Sequence, residues 1–186
     1  MKFSTTSLAV FFGTIGLLFV YPIQGADYVR PAAIIAEGKA PGLKVQLLSE
    51  EGGRKSYALA FHEGDEVMAG LTEFGRKEHL TAAHFTAIGA FSKATLAWYD
   101  VSRKAYKTIP VNQEVEVTSM IGNITADQDD SPLVHIHCVV SDANGKMTGG
   151  HLLEGHVSVT LELFLTAEPT PVHKVMDETI GLKLIK

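Results

Sequence analysis

Apolar and polar residues alternate with a period of two over most of the chain beyond residue 43, the signature of half-buried strands. Segments 43–48 and 55–61 flank Glu51-Gly52-Gly53, a hairpin signal. Segments 82–91 and 94–101 predict two strands joined by a tight turn at Ser92-Lys93. Segments 105–109 and 114–125 continue the pattern, with Glu114, Glu116 and Thr118 alternating with Val115, Val117 and Ser119. Two more strands, 133–141 and 151–166, surround the turn Asp142-Ala143-Asn144-Gly145, and the tail at 172–176 and 182–185 adds one short edge strand. One stretch departs from this period. Val67, Met68, Leu71 and Phe74 fall at steps of three and four, which predicts a helix over about 65–79. Asp65, after Gly64, is its expected N-cap. Most connections are too short for parallel crossovers. The expected fold class is therefore α+β, an antiparallel β-sheet with one main α-helix packed on it.

The N-terminus reads differently. Lys2 is the only charge in the first 26 residues, and an apolar run over 8–20 is interrupted only by Gly13, Thr14 and Gly16. Thirteen residues fall short of the roughly 20 needed to span a bilayer as a helix. A basic start, a short apolar middle and a small-residue end predict a secretory signal over 1–25, cut after Gly25. An uncleaved anchor is the alternative. A cleaved chain has no stable membrane span and is exported, periplasmic or secreted. Residues 26–42, broken at Pro31, Gly38 and Pro41-Gly42, predict an irregular lead segment, and 43–186 predict one domain. The single cysteine excludes an internal disulfide framework. Cys138 shares the alternation Val134, Ile136, Cys138, Val140, the position of a buried core thiol. The net charge of −5 argues against a generic nucleic-acid binder.

Eight histidines are many for 186 residues. His135 and His137 occupy alternate positions of one strand, about 7 Å apart at Cα and on one face. Two imidazoles so placed can converge on one ion. His151, after Gly149-Gly150 on the next strand, is the candidate third ligand. A two-residue loop at Asn144-Gly145 pairs Cys138 with His151 and turns His151 to the wrong face. One further loop residue, or a bulge at Gly149-Gly150, pairs His137 with His151 instead. Three neutral imidazoles would leave a coordination position open, a pattern that suits zinc or another divalent transition metal. His156 and Glu154 have the opposite parity to His151, and His62, His79, His84 and His173 lie in separate elements. The acidic run Asp127-Gln128-Asp129-Asp130 reads as a solvated loop, with a hard-cation site the alternative. No nucleophile elbow, P-loop or dinucleotide fingerprint occurs.

An ordered set of short segments adds a further reading. Glu63-Gly64-Asp65-Glu66-Val67, Ala87-Ile88-Gly89-Ala90-Phe91 and Gly122-Asn123-Ile124-Thr125 come first. Val134-His135-Ile136-His137, Asn144-Gly145 with Gly149-Gly150-His151-Leu152, and Glu178-Thr179-Ile180-Gly181-Leu182 follow. Together, over residues 43–186, these resemble the PPC domain, the plants and prokaryotes conserved family. The resemblance implies a compact α+β domain, assembly as a homotrimer, and a metal held by three histidines in prokaryotic members, matched here by His135, His137 and His151. Plant members of that family bind DNA through a separate AT-hook, and no Arg-Gly-Arg-Pro core occurs here. Phe61-His62 stands where relatives carry a charged pair before the helix. The expected function is an exported module binding a metal or a small-molecule ligand, with no nucleic-acid partner. The alternative is a metal-dependent enzyme of hydrolase or lyase type using the same histidines.

Overall fold

The structure, a computed structural model, describes residues 27–31 and 38–186. The expected signal segment lies outside the described residues. Among the described residues, no helix is long and apolar enough to cross a membrane. The chain runs β1 (Tyr28–Val29), β2 (Lys44–Glu51), β3 (Arg54–His62), α1 (Val67–Lys77), β4 (Ala82–Asp100), β5 (Ala105–Val111), β6 (Val115–Ala126), β7 (Pro132–Ser141), β8 (Met147–Ala167), β9 (Lys174–Asp177) and β10 (Leu182–Ile185). The fold class is α+β, as the alternation predicts.

Eight strands form one antiparallel sheet in the order β1-β5-β4-β6-β7-β8-β3-β2, and β4 also pairs with β8. That extra pairing closes β4, β6, β7 and β8 into a ring around the core. Its filling includes Phe85, Phe91, Leu96, Ile124, Ile136 and Leu161, all essentially inaccessible to water. Cys138 is buried among them, and that burial pushes its thiol up to about 12.

Four local expectations change. Ser92-Lys93 is not a turn: β4 runs unbroken through it for 19 residues. The polar pair marks the place where β4 leaves β6, at Phe91 opposite Val115, and joins β5, at Ala94 opposite Val111. The β4–β8 register shifts on both sides of Phe91, so the strand bends there without reversing. The helix is shorter at both ends than expected, and its N-cap is Glu66. The Glu66 carboxylate accepts from the N–H groups of Met68 (3.1 Å), Ala69 (2.6 Å) and, across the structure, Gly155 of β8 (3.0 Å). Asp65 instead braces the preceding turn, accepting from Gly42 N–H at 2.8 Å and His62 N–H at 2.9 Å. Val67, Leu71 and Phe74 bury the apolar face of α1. The lead segment contributes β1, which pairs with β5, and the tail forms its own two-stranded sheet, β9 with β10.

Candidate metal centre

The register that sequence alone left open is set by the β7–β8 loop. The Asp142 N–H donates to the Lys146 carbonyl at 3.0 Å. The Asp142 carboxylate accepts from the N–H groups of Asn144 and Lys146, both at 2.9 Å. These bonds close a loop one residue longer than the two-residue turn. His137 consequently pairs with His151, and Cys138 with Gly150. No register shift occurs at Gly149-Gly150 in this ladder, so the loop makes the adjustment. Gly150 serves another purpose: a Cβ there would lie 2.3 Å from the Ala97 carbonyl oxygen, where β8 passes closely over β4. Glycine is the residue that permits this approach.

His135, His137 and His151 therefore share one face. Each offers a ring nitrogen, and these atoms all lie within 4.8 Å of one another. The His135 Nε2 and His151 Nδ1 atoms are 3.1 Å apart, a hydrogen bond in which one ring donates and the other accepts. Ring centroids are separated by 4.3 Å for His137–His151 and 5.2 Å for His135–His137. Zn–N bonds of about 2.0–2.1 Å at a tetrahedral ion put ligand nitrogens about 3.3 Å apart, so small ring rotations bring all three to one centre. The donors fit a transition ion.

Their surroundings favour the ligating, neutral form. Burial, with lesser effects from Lys174, His151 and His137, pulls His135 down to about 4. Burial and then His137 pull His151 down to about 4. The ring of Tyr106 meets His151 edge-on at 4.9 Å and fixes its plane. Asn123 of β6 stands opposite His135, and its Oδ1 accepts from the Lys174 Nζ at 3.2 Å. His137 is the exposed member. It continues a cross-strand row of Phe164, Thr86 and Ile121 toward His151, and in that row Phe164 and Ile121 are 62% and 61% exposed.

The other candidates stay apart. His156 Nε2 lies 2.6 Å from Glu154 Oε1, away from the three-histidine group. His79 and His84 are exposed. In the acidic run, Asp127 pairs with Lys183, Asp129 accepts from Ser131, and Asp130 from His173 at 2.9 Å. Asp127 and Asp130 tie the loop to the tail, and Asp129 braces the loop itself. Tyr106 and Lys174 carry no motif, and Asn123 stands in the segment Gly122-Asn123-Ile124-Thr125 without any mark of a site residue. The alternation at Val115 and Val117 would turn Asn123 inward, and the register shift between Val117 and Ser119 is what brings it to the histidine face.

The family described as the Plants and Prokaryotes Conserved (PCC) domain matches residues 48–168. Among solved structures, the chain is similar to a plant- and prokaryote-conserved protein from Pyrococcus horikoshii. It is 28% identical, with TM-score 0.66 over 77% of this chain and 94% of that one. A metal-containing protein from Archaeoglobus fulgidus is 26% identical, with TM-score 0.66 over 77% and 98%. A candidate DNA-binding protein from Ralstonia eutropha is 29% identical, with TM-score 0.67 over 75% and 94%. Two Synechococcus proteins called bifunctional protein GlmU are 28% and 29% identical over 63% of this chain. The chain spans only 18% of their length.

Proposed function

The chain belongs to the Plants and Prokaryotes Conserved domain family, and on that premise we propose that it is an exported binding module. It holds one divalent transition ion, zinc foremost, on His135, His137 and His151, with a position open to a small ligand. The observation that carries this reading is the convergence of three imidazole nitrogens within 4.8 Å on one sheet face. Imidazole donors suit zinc, copper or nickel, and a fourth position without a protein ligand leaves room for exchange. The ion would act there as a Lewis acid toward whatever fills that position. The resemblance to a metal-containing archaeal protein supports the same reading.

The working form is a homotrimer. Supporting it is the apolar row of Phe164 and Ile121, which leads to His137 and is exposed in one copy. Exposed apolar surface of this kind favours an interface. DNA binding, suggested by the description of one neighbour, is disfavoured by a net charge of −5.

Metal analysis with native mass spectrometry tests these points together. Purified protein should carry one ion per chain, and three chains per particle. His137→Ala should lose stoichiometric metal, while His173→Ala should keep it. A wild-type protein that takes up no metal under zinc excess overturns the reading.

A further inference from the structure

Beside the three imidazoles lies a buried cation that no carboxylate pairs with among the described residues. Lys174 is 8% exposed. Among the described residues its amine makes one side-chain hydrogen bond, to Asn123 Oδ1 at 3.2 Å, and forms no ion pair. An ammonium has three N–H donors, so two remain. A buried charge satisfied by one neutral acceptor is costly unless a counter-charge arrives. Burial accordingly lowers the pKa of the amine.

Its position gives that cost a use. Asn123 is the register partner of His135 and faces outward with it, so the amine stands at the edge of the histidine group. The group itself contains no carboxylate. A divalent ion on three neutral imidazoles would keep its full charge, and Lys174 would add another beside it.

We propose that Lys174 makes this an anion-selective site whose ligand is a small carboxylate. One carboxylate oxygen takes the open metal position, and the other accepts from the Lys174 ammonium and the Asn123 amide. The open metal position and the Lys174–Asn123 pair together use both oxygens of a carboxylate. A phosphate presents more oxygens and favours the bidentate fork of arginine. This assignment rests on the metal-binding reading above.

Cobalt(II)-loaded protein provides the test, with its visible bands reporting ligand exchange and with acetate and inorganic phosphate as probes. Acetate should shift the bands saturably in the wild type, at lower concentration than phosphate. Lys174→Met should keep one cobalt per chain but bind acetate about tenfold more weakly or worse. Lys174→Arg should retain most of the affinity. Equal acetate binding by Lys174→Met and wild type overturns the role of Lys174. Tighter phosphate binding overturns the carboxylate assignment. If Lys174→Met misfolds, the Lys174→Arg result decides: a tenfold loss there, with cobalt retained, also overturns it. A wild type that takes up no cobalt overturns the metal reading itself, and this assignment with it.

Discussion

Gly150→Ala tests whether the close contact between β8 and β4 holds the histidine face together. The new Cβ would stand 2.3 Å from the Ala97 carbonyl oxygen, where ordinary contact begins at 3.4 Å. Both atoms belong to backbone or are bonded directly to it, so no side chain can rotate away. The strands must separate by about 1 Å, which puts the change among overpacking substitutions costing about 1–3 kcal/mol. The separation falls on the pairs Ala97–His151 and Leu96–Leu152. His151, the next residue, moves with it. Ligand nitrogens need placement within about 0.2 Å, so zinc affinity should fall about 10–100-fold. Gly145→Ala is the control: no atom lies within 4 Å of its Cβ, and its φ of +77° adds only a conformational cost of about 1 kcal/mol. Urea unfolding of metal-free protein and competition with a zinc chelator read the two effects. A Gly150→Ala protein within about 0.5 kcal/mol of wild type, with unchanged zinc affinity, refutes the argument.

Glu66→Ala removes the helix cap and orphans the buried Gly155 N–H. It should cost about 2–4 kcal/mol in urea unfolding, and a loss under about 1 kcal/mol counts against the stitching role. Metal-free protein should lose stability as pH falls from about 6.5 toward about 4. Over that window the unfolded chain takes up protons that folded His135 and His151 refuse. Thermal melts showing no such slope, or a rise toward acid, contradict the sign. For the same reason proton competition with metal at these two residues begins near 4, below the ordinary imidazole range, as chelator titrations against pH would register. Cys138, buried and with its thiol raised to about 12, should resist iodoacetamide at pH 8 until the protein is unfolded.

Local pattern alone determined the class of the fold. Period-two alternation needs no partner to be read, so nearly every strand was legible, as was the single helix at Val67, Leu71 and Phe74. The shared face of His135 and His137 follows from the same parity, and so does the buried side of Cys138. Whatever depends on which strands meet had to await the tertiary structure. Ser92-Lys93 looks like a turn because polar pairs are common in turns. It is a bend because β4 there exchanges β6 for β5, a choice made by segments twenty residues downstream. Asp65 is the better cap by residue type, but its carboxylate is taken by the Gly42 and His62 N–H groups, and Glu66 caps the helix while also reaching Gly155 of β8. The orientation of His151 turned on one loop residue, decided by how the Asp142 carboxylate gathers the N–H groups of Asn144 and Lys146. Lys174 lies 23 residues beyond His151 with no spacing to mark it. Its amine reaches the site because the tail folds back beside β6, and packing across that distance leaves no periodicity in the chain.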